Sequence, residues 1–181
     1  MNGLTNKRVL ITGHCLATAR RFACEEANVL VTDVVADEIL LGVQQEFQER
    51  HPARVFVENL DVTREDEVGD QFGRVESLLG GLDVLINNAG TNRQSPTHEF
   101  TLKDFEEVVG VNLRGAFLCS PAALNIFLQQ DSGLILMNSS NHEIVPKPNF
   151  VAYSVSKGGL GNLMAYHCAR ICRSWPSAPT Q

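Results

Sequence analysis

The 181-residue chain, with 44% hydrophobic and 20% charged residues, has the length and composition of a single soluble globular domain with a substantial core. Its formal net charge of −6 disfavours non-specific binding to nucleic acid, and no apolar run is long enough to indicate a membrane partner. The five cysteines are an odd number without a C-x-x-C pair, which favours reduced thiols in a cytoplasmic protein. His167, Cys168 and Cys172 lack a fourth ligand at a suitable spacing, so we expect no metal site.

Five short β-rich apolar runs predict strands. They lie at residues 9–12, 29–32, 54–60, 84–86 and 134–137. Helices are predicted over 17–27, 37–50, 63–79 and 101–130, and from Tyr153 to about Ile171. Thr63 is the candidate N-cap of the third helix with Asp66 in a capping-box position, and Pro121 is expected to kink or break the fourth.

The strands lack polar alternation, so each is expected to be buried on both faces. Alternating strands and helices of this kind predict an α/β fold, a doubly wound parallel sheet of about five strands. Ligands of such sheets bind beyond the carboxyl ends of the strands. Gly13, Asp33, Asp61, Asn87 and Ser140 each follow a predicted strand, so we expect them to converge on one edge.

Tyr153 and Lys157 are four residues apart and share a face if Tyr153 begins a helix. An ammonium about 4 Å from the phenol, at an effective dielectric of about 20, favours the phenolate by up to about 4 kcal/mol. The hydroxyl of Ser140 could hold a substrate oxygen beside the phenol. This combination predicts a general acid/base site that moves a proton on or off an alcohol or carbonyl. The alternative is a surface tyrosine and lysine on an amphipathic helix.

An ordered set of motifs gives these residues a context. The set is Asn87-Asn88-Ala89-Gly90 at a strand end, Asn112 in Val-Asn-Leu-Arg-Gly, then Ser140 and Tyr153-x-x-x-Lys157. Over roughly residues 7 to 165 it resembles the classical short-chain dehydrogenase/reductase family, which has a Rossmann-type fold. The segment from Ser140 to Phe150 is also similar to bacterial glucose dehydrogenases of that family.

The resemblance implies an NAD(P)-dependent oxidoreductase that interconverts an alcohol and a carbonyl, with a sugar as one candidate substrate, in a homo-oligomer. Tyr153 would be the acid/base, and Lys157 would assist it and hold the nicotinamide ribose. Ser140 would orient the substrate oxygen, and Asn112 would fix a water that relays protons to Lys157. The hydride would pass to or from the cofactor.

The cofactor-binding residues that the resemblance implies come mostly from strand ends. They are Thr12, Gly13, Asp33, Asp61, Val62, Asn88, Ala89, Gly90, Tyr153 and Lys157. Asp33 would bind the adenosine ribose 2′-hydroxyl and repel a 2′-phosphate, which favours NAD over NADP. The alternative for Asp33 is a polar strand terminator. A flavodoxin-like or other nucleotide-binding module would not explain Asn112 and Ser140 together with the tyrosine and lysine.

The chain departs from the family pattern at the first turn, where the family has T-G-x-x-x-G-x-G. The segment from Thr12 to Ala19 keeps one of these three glycines and is about four residues shorter. The missing glycines let the backbone approach the pyrophosphate at the helix N-terminus. We therefore expect the side chain of His14, Cys15 or Leu16 where a phosphate should lie, and impaired cofactor binding.

The resemblance also ends near Ala165, and Ser174 to Gln181 is typical of a disordered tail. The sequence thus predicts one C-terminally truncated domain over 1–173, with the edge of the fifth strand left open. Two functions remain: an active oxidoreductase, or an inactive relative that serves as a scaffold or interaction protein. His142 and Glu143 either contact a polar substrate or are solvent-exposed loop residues.

Overall fold

The computed structural model describes residues 3–13, 15–51 and 54–174, with side chains described as far as His167. The strands are β1 (Arg8–Thr12), β2 (Asn28–Asp33), β3 (Val55–Asn59), β4 (Val84–Asn87) and β5 (Leu134–Met137). The helices are α1 (Leu16–Cys24), α2 (Asp37–Arg50), α3 (Glu65–Leu79), α4 (Leu102–Val109), α5 (Ala116–Gln130) and α6 (Val151–Ser174). A π-helical segment (Gly110–Gly115) joins α4 to α5, and a 3-10 helix (Asn141–Glu143) follows β5.

The chain forms two compact units. Of the described residues, those in 3–90 and 115–138 make up the sheet unit, and those in 91–114 and 139–174 make up the helical unit. The predicted tail lies outside the described residues except for Ser174, which ends α6.

The sheet unit contains one parallel sheet with the strand order β3-β2-β1-β4-β5. One face packs against α1 and α2 in a hydrophobic cluster. Its buried members are Val9, Ile11, Ala19, Ala23, Ala27, Val29, Val31, Val43, Phe47, Val55 and Val84. The alternate residues Leu10, Leu30 and Leu85 point to the other face and are also fully buried. There α3 and α5 pack against β2 and β4 and against each other, so the predicted doubly wound, Rossmann-type fold is confirmed.

Strands β3 and β5 differ from the prediction that every strand is buried on both faces. Val55 is the one buried residue of β3, and β5 has none. The side chains of Leu134 and Leu136 are 50% and 39% exposed. The reason is the sheet order, because β3 and β5 each pair with one neighbour and form the two edges of the described sheet. The expected open edge is present, and it exposes apolar side chains.

The predicted cap of α3 is wrong. The helix begins at Glu65, and the backbone and hydroxyl of Thr63 instead both donate to Asp61 Oδ1, at 2.8 and 2.7 Å. The backbone N–H of Asp61 donates to Glu67 Oε2 at 3.0 Å, and Asp66 has no such contact with the start of the helix. The carboxylate of Asp61 thus holds the turn that precedes the helix, and the N-cap position falls to Arg64, one residue later than predicted.

Pro121 does not break its helix, because Leu102–Gln130 is helical over 29 residues. By length and composition this stretch could cross a membrane, contrary to what the sequence suggested. One such helix is weak evidence, since 39% of its most apolar window is buried and the core helices of soluble proteins have the same properties. Its α5 portion packs against α3 within the sheet unit.

Candidate active site and cofactor site

Helix α6 brings Tyr153 and Lys157 together in the helical unit. The helix begins two residues before Tyr153, and Lys157 Nζ lies 5.5 Å from the centroid of the Tyr153 ring. Lys157 is 4% exposed, and this burial lowers its pKa because a charged ammonium is poorly solvated there. The arrangement places a weakly screened cationic group beside the phenol.

Asn112 lies in the π-helical segment, and its side chain makes three hydrogen bonds to protein partners. Its Oδ1 accepts the N–H of Thr91 at 2.7 Å, and its Nδ2 donates to the Thr91 carbonyl and to Ser156 Oγ, both at 3.0 Å. The residue is 1% exposed. Both amide hydrogens are used while Oδ1 accepts one hydrogen bond, and the role of Asn112 in fixing a relay water stays a prediction.

Ser156 is a further residue of this site, which the sequence motifs did not indicate. It is fully buried, and its hydroxyl donates to the Tyr153 carbonyl at 2.7 Å while accepting from Asn112. The available signal was its position three residues after Tyr153, from which a helical serine can reach that carbonyl.

Ser140 precedes the 3-10 helix in an extended conformation. Its hydroxyl accepts the N–H of His142 at 3.2 Å and donates to Asn141 Oδ1 over a long 3.3 Å. The His142 ring stands edge-on to the rings of Tyr153 and Phe150, with centroid distances of 5.3 and 4.9 Å. His142 therefore links the Ser140 loop to the Tyr153 ring.

His142 is 7% exposed, so it is not the solvent-exposed loop residue that one alternative expected. Its Nδ1 lies 3.3 Å from Ser154 Oγ, and both residues line a cleft of about 350 Å³ in the helical unit. Glu143 also lines this cleft, is exposed, and accepts a short hydrogen bond from the Ser139 hydroxyl.

In the sheet unit, the ends of β1 and β4 form a tight junction. The hydroxyl of Thr12 accepts the N–H groups of Asn88 and Ala89 at 3.1 and 3.2 Å, and Asn88 Nδ2 donates to the Thr12 carbonyl at 3.0 Å. Gly13 has a φ of +74°, and a Cβ there would lie 2.7 Å from Ala89 Cα. Gly90 follows this junction and is exposed. Thr12, Gly13, Asn88 and Ala89, which the resemblance implies bind the cofactor, thus meet at one junction. The close approach of the Ala89 backbone and the positive φ require glycine at position 13.

The ends of β2 and β3 carry the two candidate aspartates. Asp33 Oδ1 accepts the N–H of Val34 at 2.7 Å, and the side chain is half-buried. Val62, next to Asp61, is 6% exposed and packs closely on Gly115, where a Cβ would lie 2.6 Å from Val62 Cγ2. The Asp61 side chain thus accepts hydrogen bonds within its own turn, while the Val62 side chain packs on the backbone of Gly115 in the same unit.

The shortened turn leads directly into α1. Cys15 and Leu16 are partly buried and pack against the hydrophobic cluster, and their place near a phosphate stays a prediction. His14 lies outside the described residues. Cys15 is the N-cap of α1 without a side-chain hydrogen bond to the helix amides. The turn between β1 and α1 thus keeps one glycine, Gly13, ahead of the helix N-terminus, where backbone N–H groups could face a phosphate.

No group of three or more histidine, cysteine, aspartate or glutamate side chains suited to a metal ion occurs among the described side chains. The candidate metal ligands Cys168 and Cys172 have side chains outside the described part of the chain.

Comparisons with known proteins identify the family. The family model described as short chain dehydrogenase matches residues 7–170. A glucose 1-dehydrogenase from Gluconobacter oxydans (strain 621H) is 36% identical over 163 residues, which cover 87% of this chain and 61% of that protein. The chain thus spans about three fifths of the length of this relative.

Solved structures show the same fold. A levodione reductase superposes with a TM-score of 0.86 at 33% identity, covering 93% of this chain and 67% of that one. An NAD⁺-bound xylitol dehydrogenase superposes with a TM-score of 0.86 at 28% identity, covering 94% of this chain and 67% of that one. Since the family model matches nearly the whole chain, this protein belongs to the short-chain dehydrogenase family, with the glucose dehydrogenase resemblance that its sequence predicted.

Proposed function

We propose that the protein is a nicotinamide-dependent oxidoreductase that interconverts an alcohol and a carbonyl, with Tyr153 as the acid/base. The observation that carries this proposal is the pairing of Tyr153 with the buried Lys157 on one helix. In the oxidising direction the Tyr153 phenolate oxygen accepts the proton of the alcohol. In the reducing direction the phenol returns that proton to the carbonyl oxygen. A bound nicotinamide supplies or accepts the hydride.

Lys157 assists the reaction through its charge. Its Nζ lies 5.5 Å from the centroid of the Tyr153 ring. An ammonium about 4 Å from a phenolate oxygen, at an effective dielectric of about 20, would stabilise the negative charge by up to about 4 kcal/mol. The effect requires the protonated amine, and burial lowers the pKa of Lys157. Assistance is therefore present below that pKa and lost as the pH rises through it.

Ser140 orients the substrate oxygen in this proposal. Its hydroxyl donates a long, weak hydrogen bond of 3.3 Å to Asn141 Oδ1. A substrate oxygen can replace Asn141 as the acceptor of this bond at little cost in free energy. Asn112 would fix a water that relays protons to Lys157, while its amide joins Thr91 to Ser156.

We propose NAD as the preferred cofactor. Thr12, Gly13, Asn88, Ala89 and Gly90 would line its cleft, and Asp61 and Val62 would flank the adenine. The carboxylate of Asp33 would accept a ribose hydroxyl and repel a 2′-phosphate. Tyr153 and Lys157 would contact the nicotinamide ribose. An NAD⁺-bound relative of the same fold supports this choice.

The second candidate function is a catalytically inactive relative that acts as a scaffold or interaction protein. The turn after Gly13 favours it, because the second and third glycines of the phosphate turn are replaced and the turn is shorter. The two functions differ in one measurable property, which is cofactor affinity.

A small alcohol or carbonyl compound, with a sugar or polyol as the first class to test, is the proposed substrate. The similarity to a glucose 1-dehydrogenase and a xylitol dehydrogenase supports it. We also propose a cytoplasmic homo-oligomer without nucleic-acid or membrane partners. The net charge of −6 and the free thiols of Cys15, Cys24 and Cys119 support these proposals.

Titration with NADH, followed by its fluorescence, separates the two functions. Saturable binding with turnover of a sugar or polyol supports the oxidoreductase, and absence of binding supports the inactive relative. Tyr153→Phe should abolish turnover while NADH affinity changes little. Tyr166→Phe is the matched control, because Tyr166 is 58% exposed and should be dispensable. Retained turnover in Tyr153→Phe contradicts the acid/base assignment.

A further inference from the structure

Among the described residues, the buried hydroxyl of Ser156 is the group through which α6 hydrogen-bonds to the Asn112 side chain. Ser156 has no exposed surface, and its Oγ lies 2.7 Å from the Tyr153 carbonyl oxygen and 3.0 Å from Asn112 Nδ2. A hydroxyl can donate one hydrogen bond and accept others at the same time. Ser156 uses both capacities, donating to the backbone of Tyr153 and accepting from Asn112.

The contact continues beyond Asn112. The amide of Asn112 also binds both the N–H and the carbonyl of Thr91, so a chain of hydrogen bonds runs from Thr91 through Asn112 and Ser156 to Tyr153. Every member belongs to the helical unit. Buried networks of this kind fix geometry only while every member is satisfied.

Close packing beside this network leaves little room for movement. A Cβ at Gly159 would lie 2.6 Å from Leu113 Cδ2, so the π-helical segment approaches α6 where glycine leaves space. A π-helical turn places its residues differently from an α-helical one, and here it carries Asn112. Ser156 therefore connects this turn to the first turns of α6, which carry Tyr153 and Lys157.

We propose that Ser156 is a positioning residue that holds Tyr153 and Lys157 in the orientation required for proton transfer. The effect on catalysis rests on the proposed function. The effect on structure does not, because it is that the hydroxyl of Ser156 sets the placement of the Tyr153 ring.

The sheet unit offers a matched control. Ser120 is also fully buried, donates to a carbonyl of its own helix (Ala116, 2.7 Å) and accepts from a buried asparagine (Asn87, 3.3 Å). Replacing either serine by alanine removes the same groups and leaves an amide N–H without its partner. The two variants should lose similar stability, and differ in their effect on Tyr153.

The test uses ¹³C-tyrosine-labelled protein in a Tyr166→Phe background. Because the chain has two tyrosines, Tyr153 is then the single source of signal. Without any cofactor, Ser156→Ala should shift the Tyr153 ring resonances, which depend on the nearby rings of His142 and Phe150. Ser120→Ala should leave them in place, and Ser156→Thr, which retains the hydroxyl, should return them toward the parent positions.

Unchanged Tyr153 resonances in Ser156→Ala overturn the proposal. If Ser156→Ala does not fold, Ser156→Cys decides by the same readout, since its thiol is of similar size and a weak hydrogen-bonding group. With NADH and a substrate, kcat of the folded variant should fall roughly tenfold or more while KM changes little. An equal fall in Ser120→Ala also overturns the proposal. Failure to bind NADH affects the proposed function alone, because the resonances are measured without cofactor.

Discussion

Gly13 and Gly80 have the same backbone conformation and different surroundings, which allows a sharp test of the cofactor junction. Both have a φ of +74°. A Cβ at Gly80 meets nothing within 4 Å, whereas a Cβ at Gly13 would lie 2.7 Å from Ala89 Cα and 2.9 Å from Ala89 N. These neighbours are backbone atoms and cannot rotate away.

Alanine at either position adopts the left-handed conformation at a cost of about 1 kcal/mol. At Gly13 the contact with Ala89 adds an overpacking cost of about 1–3 kcal/mol. Gly80→Ala should therefore lose about 1 kcal/mol of unfolding free energy, and Gly13→Ala about 2–4 kcal/mol. The difference isolates the close approach of the two strand ends.

Urea unfolding, followed by the circular dichroism of the helices, measures both losses. The m-value should stay constant, so that the midpoints report stability alone. If cofactor binding is present, NADH affinity should fall in Gly13→Ala and persist in Gly80→Ala. Equal stability losses in the two variants would refute the reasoning, because they would mean that Gly13 serves only its φ angle.

Three further changes test other parts of the sheet unit. Gly115→Ala should lower thermal stability and NADH affinity, because its Cβ would lie 2.6 Å from Val62 Cγ2. Asp83→Asn should cost about 1.5 kcal/mol at neutral pH, since the side-chain hydrogen bonds from Arg8, at 2.8 and 3.0 Å, hold the pKa of this carboxyl below its usual value. Leu136→Lys should reduce concentration-dependent association in sedimentation velocity, by placing a charge on the exposed edge strand.

Each of these changes has its own control. Gly110→Ala adds a Cβ that meets nothing within 4 Å, so an equal effect there contradicts the Val62 contact. Leu41→Lys charges a 60% exposed helix position, and an equal fall in association contradicts the edge-strand explanation. For Asp83 the control is pH. A lowered carboxyl pKa adds stability above the unfolded value of about 4, and this is lost as pH falls through the folded value. The gap to Asp83→Asn should therefore close in acid, and a constant gap contradicts the ion pair.

The sequence predicted the layered fold well because its signals are local and repeated. When apolar strands alternate with amphipathic helices, few architectures can pair the backbone hydrogen-bonding groups of the strands and also bury the apolar side chains. The ordered motifs at the strand ends then indicated the family. These features needed no knowledge of which strand lies beside which.

Errors arose where a neighbour distant in sequence decided the outcome. Local pattern predicted that β5 is buried on both faces, but its burial depends on its place at the edge of the described sheet. Thr63 has the chemistry of an N-cap, but Asp61 holds it in the preceding turn, and the N-cap position falls to Arg64. His142 reads as a loop residue, yet contacts with Tyr153 and Phe150 bury it.

By itself the sequence determined the fold class, the family and the spacing that places Tyr153 and Lys157 on one helix face, since helical periodicity fixes that spacing. Only the tertiary structure decided that Asn112 has both amide hydrogens committed, and that Ser156 joins it to the backbone of Tyr153. Hydrogen-bond capacity is finite, and whether a side chain can hold a water or a substrate depends on which partners folding has already given it.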